Sequence, residues 1–332
     1  MKLKIFCSII LASCLSMLQA QIKIGIIGLD TSHSIAFTKF LNGTDQKEEY
    51  KDFKIVAAYP YGSKTIKSSY ERIPGYIEQV KELGVDIVPS IAELLKEVDY
   101  VMLETNDGNL HLEQAYEVFK AGKPMFIDKP LAATLAQSIT LFELSKKFNV
   151  PVFSSSSLRY IEHAQEIRER KYGNVLGADC YSPHHQEPSH PDFGWYGIHG
   201  VEMLFTVMGT GCVSVNRMSA DSTDVVVGKW NDGRIGTFRA LQQGKSIYGG
   251  TAFTKSGAVG MGKYLGYEPL LKEILHFFKT GVSPVSEKET LEIFTFMEAS
   301  NESKRRGGKI ILMEDTYRKA LLEARKLLAD LK

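Results

Sequence analysis

A turn rich in small and hydroxyl-bearing residues follows the first apolar run of the chain and could bind an anion. The run at 22–28 ends in glycine, and Leu29-Asp30-Thr31-Ser32-His33 leads into a helical pattern. A dinucleotide-binding turn reads Gly-x-Gly-x-x-Gly, which lets backbone amides and a helix N-terminus contact the pyrophosphate. Gly28 matches the first glycine, and Thr31 and Ser32 would add hydroxyl donors.

Asp30 and His33 stand where this pattern has its second and third glycines. Two interpretations follow. Either the helix N-terminus still binds phosphate, or the Asp30 carboxylate caps the helix and excludes phosphate. At the end of the second strand, Tyr59 stands where an acidic residue usually holds the ribose hydroxyls, so the feature that favours NAD over NADP is missing.

The elements that would position this turn alternate between strands and helices as far as residue 155. Apolar runs at 22–28, 54–59, 85–88, 100–105 and 124–128 are separated by helical patterns, which is typical of a parallel sheet. Farther along the chain, polar–apolar alternation and an Asn231-Asp232-Gly233 hairpin signal indicate antiparallel strands.

We therefore predict an α/β protein with a Rossmann-type parallel-sheet domain over 21–150. An α+β domain with an open, mostly antiparallel sheet would occupy 151–332, and its last helix could pack back on the first domain. Residues 1–20 have the charged start, apolar centre and small-residue end of a signal peptide.

This leader predicts export, most simply to a periplasm, with cleavage after Ala20. Leu11-Ala12-Ser13-Cys14 resembles a lipobox, so a lipid anchor on Cys14 is the second possibility. Cys180 and Cys212 remain after cleavage, either as one disulfide or as two separate buried thiols. The formal net charge of +1 does not suggest a nucleic-acid partner, and no run from residue 22 onward is long enough to span a membrane.

Three further segments occur in an order that is specific to one family. Thr105-Asn106 precedes His111 by a short spacing, Asp128-Lys129-Pro130 ends the fifth strand, and Gly197-Ile198-His199 follows much later. With these segments, about 22–315 of the chain resembles the glucose–fructose oxidoreductase/inositol dehydrogenase (Gfo/Idh/MocA) family. The resemblance implies binding of NAD or NADP and oxidation or reduction of a carbon of a sugar or polyol.

The resemblance also implies roles for individual residues. Lys129 would touch the nicotinamide ribose and the substrate hydroxyl, and His199 would be the general acid/base with a pKa near the operating pH. Helical spacing agrees, because His199 projects opposite the apolar stripe that includes Val201 and Leu204. Trp195 replaces the family's aspartate and adds an apolar platform for a sugar ring. The implied cofactor-binding residues are Gly28, Asp30, Thr31, Ser32, Tyr59, Thr105, Asn106, His111 and Lys129.

A histidine-rich loop at 182–193 is expected to cover the cleft. His184 and His185, together with Trp195 and Tyr196, are the predicted substrate contacts. The loop's proline-broken spacing matches no common metal-ligand pattern, so no metal is predicted there or elsewhere. Arg159 would contact substrate or cofactor, or else form an exposed interdomain salt bridge.

Three functions fit these observations. The first is an exported NAD(P)-dependent oxidoreductase of a sugar, polyol or glycoside that holds its cofactor tightly. The second is an NAD-dependent glycosidase that oxidises, eliminates and re-reduces its sugar. The third is a carbohydrate-binding protein on a retired dehydrogenase scaffold, which the changes at Asp30, Tyr59 and Trp195 would fit. The open sheet further predicts a homo-oligomer.

Overall fold

The computed structural model describes residues 21–331 of the chain. The predicted signal peptide, with its lipobox at Cys14, lies outside these residues. Between residues 21 and 331 no helix is both long and apolar enough to cross a membrane.

The first domain is built on a six-stranded parallel sheet. Its strands are β1 (Ile22–Ile27), β2 (Phe53–Tyr59), β3 (Asp86–Ile87), β4 (Tyr100–Leu103), β5 (Met125–Asp128) and β6 (Val152–Ser155). They lie in the order β3-β2-β1-β4-β5-β6, so the chain reverses direction across the sheet between β1 and β4. Ligands of such sheets bind at the carboxyl ends of the strands beside this reversal.

Helices cover both faces of this sheet. They are α1 (Ser32–Asn42), α2 (Lys67–Tyr70), α3 (Ile73–Glu82), α4 (Ile91–Glu97), α5 (His111–Lys120) and α6 (Leu135–Phe148). Because both faces are covered, β4 and β5 are apolar almost throughout and nearly all of their residues are buried. Ser90 and Thr134 accept hydrogen bonds from backbone amides and start α4 and α6.

The second domain is built on a seven-stranded sheet that is open on one face. Its strands are β7 (Val175–Pro183), β8 (Cys212–Ser219), β9 (Thr223–Trp230), β10 (Ile235–Leu241), β11 (Gly249–Thr254), β12 (Gly257–Gly260) and β13 (Ile311–Leu312). Their order is β12-β11-β7-β10-β9-β8-β13. Every neighbouring pair is antiparallel except β7 with β10. The predicted hairpin at Asn231-Asp232-Gly233 joins β9 to β10.

Helices of the second half link the two domains. They are α7 (Ala164–Arg168), α8 (Gly197–Met208), α9 (Glu268–Thr280), α10 (Glu287–Arg305) and α11 (Met313–Asp330). Every residue of α8 is buried, and the helix packs on β7 and β10. Helix α9 packs into the core of the first domain, and α11 lies against α6.

The predicted fold class is confirmed, since a parallel Rossmann sheet is followed by an open, mostly antiparallel one. The first sheet continues to Ser155, because β6 pairs with β5 and adds a sixth parallel strand beyond the boundary predicted at residue 150. Cys180 and Cys212 are both free and buried, so of the two possibilities that the sequence left open, two separate buried thiols is the one observed.

Phe238 on β10 is buried against α8, whereas Phe253 on β11 projects from the open face of the sheet with 42% of its surface exposed. We expect Phe238→Ala to lower the free energy of unfolding by about 3–5 kcal/mol, because it removes a full ring from a packed core. Phe253→Ala is the matched control and should cost about 1 kcal/mol or less. Urea unfolding followed by tryptophan fluorescence measures both, and equal losses would contradict this packing.

Candidate active site

A cavity of about 350 Å³ lies at the carboxyl ends of the first sheet, where the second domain covers them. The turn after β1, the end of β5 and the start of α8 all contribute to its walls. Predicted site residues that line it are Thr31, Ser32, Asn106, Lys129, His185, Trp195, Tyr196 and His199. A volume of this size is at the lower end of the range for small-molecule sites.

Lys129 follows directly after β5 and is almost fully buried. Its Nζ lies 5.9 Å from the ring centre of Trp195 and 5.7 Å from that of Tyr196, which is within the range of cation–π attraction. Burial lowers the pKa of the Lys129 ammonium, and the charges of Asp128 and Glu104 oppose that shift. The ammonium is therefore a poorly hydrated cation beside two aromatic rings.

His199 lies in the first turn of α8 and faces the cavity. Its Nδ1 is 2.6 Å from the Ser156 hydroxyl, and the rings of Tyr196 and Tyr248 flank it edge-on. Burial, then the charges of Lys129 and His33, hold the pKa of His199 well below its usual value. The prediction of a pKa near the operating pH is therefore wrong, because the imidazole is buried and stays neutral.

The turn before α1 keeps one feature of a dinucleotide-binding turn. Gly28 has a φ of 92°, and a Cβ there would lie 2.5 Å from the backbone nitrogen of Thr105. Only glycine permits this close approach of β1 to the segment after β4. Thr31 is the N-cap residue of α1, and its side chain makes no capping hydrogen bond. The first amides of α1 thus remain available at the cavity wall.

Asp30 points away from the cavity and is completely buried. Its Oδ1 accepts a hydrogen bond of 3.0 Å from the backbone amide of Asn106. Gly62 lies so close that a Cβ there would be 2.1 Å from Asp30 Oδ2. Burial raises the pKa of Asp30 to about 6, although the Asn106 and Ser63 amides oppose the shift.

The two ends of a nicotinamide dinucleotide would meet different surroundings in this structure. The cavity suits the nicotinamide end, since it offers a helix N-terminus, a lysine and aromatic walls. The adenosine end would lie between the β1 turn and the end of β2. There Ser63 and Ser69 are buried, and Asn106 Nδ2 donates a hydrogen bond of 3.2 Å to Ser69. Segment 63–69 thus packs against Asn106 on the side of the β1 turn where the adenosine half would lie.

Five predicted cofactor residues lie outside the cavity lining, namely Gly28 and Asp30 of the β1 turn together with Tyr59, Thr105 and His111. His111 contacts the carbonyl oxygens of Thr105 at 2.6 Å and Leu131 at 3.2 Å, and so ties together two loops that shape the site. Thr105 is fully buried where the Gly28 turn meets it. Tyr59 is partly buried and packs edge-on against Tyr61.

Two predicted substrate residues do not reach the cavity. The Arg159 guanidinium is buried between Glu202 and Glu289, at 2.8 Å from each carboxylate. Arg159 does form salt bridges, but the predicted exposed interdomain pair is wrong, because α8 and α10 bury both pairs within the second domain. His184 is also buried, with Nε2 2.6 Å from Asp192 Oδ1. Neighbouring His185 does line the cavity, because side chains in an extended segment alternate in direction.

Other residues of the site were not predicted. Tyr248, Tyr264 and Tyr267 line the cavity from the second domain, and no local sequence pattern marks them. His33 also lines the cavity. The sequence could have indicated it, because a histidine stands there at the third glycine position of the dinucleotide-binding pattern. Glu104 lies just beneath the cavity. The sequence feature that could have indicated it is its position directly after the buried strand β4.

Comparisons with known proteins agree with this geometry. Residues 22–156 match the model of the Gfo/Idh/MocA oxidoreductase family, described as an NAD-binding Rossmann fold. An uncharacterized oxidoreductase of Streptococcus pneumoniae serotype 4 is 29% identical over 125 residues, which cover 36% of this chain and 33% of that protein. The chain thus matches about a third of the length of this curated relative.

Solved structures share the whole architecture. A probable dehydrogenase from Thermotoga maritima has a TM-score of 0.71 at 20% identity, with 89% of this chain and 100% of that chain covered. Scyllo-inositol dehydrogenase from Lactobacillus casei, with bound NAD(H) and scyllo-inositol, has a TM-score of 0.68 at 15% identity, covering 89% and 99%. At these identities the likeness shows the fold. The predicted family resemblance is confirmed, and NAD is the cofactor type of the matched domain.

Asp30 gives the native state a pH dependence. Its folded pKa of about 6 exceeds the ordinary value of 3.8, so ionisation of the buried carboxyl costs stability as the pH rises through this window. We expect the free energy of unfolding of Asp30→Asn, relative to that of the parent protein, to rise by about 1–2 kcal/mol from about pH 5 to about pH 8. Denaturant unfolding at both pH values measures this, with surface Asp45→Asn as the matched control. A gap that is constant with pH would contradict the raised pKa.

Proposed function

Because the chain carries the NAD-binding Rossmann domain of the Gfo/Idh/MocA oxidoreductase family, we propose that it oxidises or reduces a carbon of a sugar or polyol. The observation that supports this most is that Lys129 and His199, from different domains, line one cavity. Trp195 and Tyr196 add aromatic walls on which the apolar face of a sugar can stack.

The chain's own residues would divide the work as follows. A bound NAD(P) supplies the hydride acceptor or donor. The Lys129 ammonium is a buried cation that stabilises negative charge on the substrate oxygen as its proton leaves. In the tautomer with the proton on Nδ1, His199 donates to Ser156 and keeps Nε2 free to accept the hydroxyl proton. The low pKa of His199 keeps this nitrogen unprotonated across the neutral range.

Export and assembly form part of this proposal. The leader at 1–20 supports work outside the cytoplasm, where tight retention of the cofactor would be needed. The open face of the second sheet exposes Met218, Ile235 and Phe253. Apolar groups on one face favour association with a second copy of the chain.

A second candidate is a carbohydrate-binding protein on a retired dehydrogenase scaffold. The contacts of Asp30 and Ser69 with Asn106 favour it, because they close the route of the adenosine half. The absorbance of nucleotide released by denaturing the purified protein separates the two candidates. Bound dinucleotide supports the oxidoreductase, whereas neither bound nucleotide nor NAD(P) affinity by calorimetry leaves the binding protein.

Lys129→Ala and His199→Ala should each lower kcat/KM by about a hundredfold or more, since each removes a group that acts on the substrate oxygen. The measurement is NAD(P)H formation with a panel of inositols and sugars. Lys120→Ala and His163→Ala, on the surface, are the matched controls and should keep full activity. Full activity in both site variants would remove the proposed roles.

Asp30→Gly should tighten NAD(P) binding by about tenfold, because it removes a carboxylate beside the pyrophosphate route and frees the Asn106 amide. Isothermal titration calorimetry of both proteins measures the change. If the affinity falls instead, Asp30 belongs to a rebuilt cofactor site and does not obstruct one.

A further inference from the structure

Three potential metal ligands meet beneath the cavity floor. Strands β4 and β5 pair with Leu103 opposite Ile127, so Glu104 and Asp128 lie side by side where the strands end. His33 reaches them from the first turn of α1, with Nδ1 2.9 Å from Asp128 Oδ1. One ligand atom from each of the three residues lies within 4.8 Å of the other two.

The Glu104 carboxylate of this cluster lacks hydrogen-bond partners within the described part of the chain. Glu104 and Asp128 are fully buried, and neither carboxylate oxygen of Glu104 has a hydrogen-bond partner within residues 21–331. His33 Nδ1 has one short contact, 2.9 Å from Asp128 Oδ1. Buried carboxylates without partners are rare because desolvation is costly, so a bound cation is the expected partner.

Two cationic side chains lie close to the carboxyl groups of this cluster. Glu104 and Asp128 carry two potential negative charges, and buried Asp30 adds its field. Lys129 acts on both carboxylates, and the imidazole of His33 also acts on Asp128. Burial raises the pKa of Glu104 well above its usual value, so the Glu104 carboxyl is the member of the cluster without a compensating partner.

We propose that His33, Glu104 and Asp128 bind one divalent transition-metal ion. An imidazole nitrogen with two carboxylate oxygens is a ligand set that suits Zn²⁺ or Mn²⁺. The ring of Tyr267 packs against His33 at 4.2 Å between centres and holds the imidazole in place. Three protein ligands leave at least one coordination position free, as in catalytic metal sites.

The free position would face the substrate. His33 and Asp128 both line the cavity that contains Lys129 and His199. A hydroxyl oxygen bound there would be polarised by the ion. The metal site does not rest on the proposed redox function, because the ligands converge whether or not a dinucleotide binds.

A second cluster of potential metal ligands differs from the first in that protein cations form ion pairs with each of its carboxylates. His184, Asp192 and Asp224 also converge. Arg217 forms ion pairs with both aspartates, and Lys304 lies 3.1 Å from Asp192. The carboxylates of this cluster are therefore already neutralised by protein cations.

The test uses the full chain, stripped with a chelator and free of substrate and nucleotide. Titration with Zn²⁺ and with Mn²⁺, followed by calorimetry and by the Mn²⁺ electron paramagnetic resonance signal, should show one site per chain. Glu104→Gln, which keeps the shape of the side chain, should weaken metal binding by more than about tenfold. Asp192→Asn in the second cluster is the matched control and should keep both stoichiometry and affinity.

Circular dichroism of each variant checks that it is folded. If Glu104→Gln does not fold, His33→Gln provides the same comparison. Absence of stoichiometric binding in the folded parent protein would overturn the proposal, and would mean that the carboxyl pair shares a proton instead. Unchanged affinity in a folded Glu104→Gln or His33→Gln protein would also overturn it. Neither outcome bears on sugar oxidation, since no nucleotide or substrate is present.

Discussion

The burial of three carboxyl groups at one edge of a parallel sheet is the constraint on which the site depends. Asp30, Glu104 and Asp128 follow or end strands β1, β4 and β5, and all three are fully buried. Carboxylates so placed need donors or cations, because water cannot reach them. Asp30 accepts a hydrogen bond from the Asn106 amide, while Lys129 and His33 lie close to the carboxyl groups of Glu104 and Asp128.

This constraint explains why the β1 turn departs from a glycine-rich pattern. The Asp30 carboxyl ties the turn to the segment after β4, and Gly62 brings the chain after β2 against it. Asp30 therefore contacts the protein's own backbone and leaves the first amides of α1 at the cavity wall. His33 replaces the third glycine of the pattern, so its ring lies at the cavity where a glycine would have left space.

The second domain completes the site through a buried ion-pair network. Arg159 lies between Glu202 of α8 and Glu289 of α10, and Arg168 also contacts Glu289. Buried pairs of this kind add little net stability but favour one arrangement, because any other leaves a charge unpaired. The network anchors α8 beside β6 and thereby sets His199 against Ser156.

The sequence by itself determined the fold and the main side chains of the site. Alternating apolar runs predicted both sheets, and the segments around Lys129 and His199 identified the two walls of the cavity. Such features are local, because periodicity and turn chemistry act within a few residues. Tertiary structure alone decided which polar residues face one another. Glu104 meets Asp128 through strand register, and burial lowers the pKa of His199. Arg159 pairs with the buried Glu202, and His184 pairs with the partly buried Asp192. Register, burial and charge pairing join residues far apart in the chain, so no local pattern carries them.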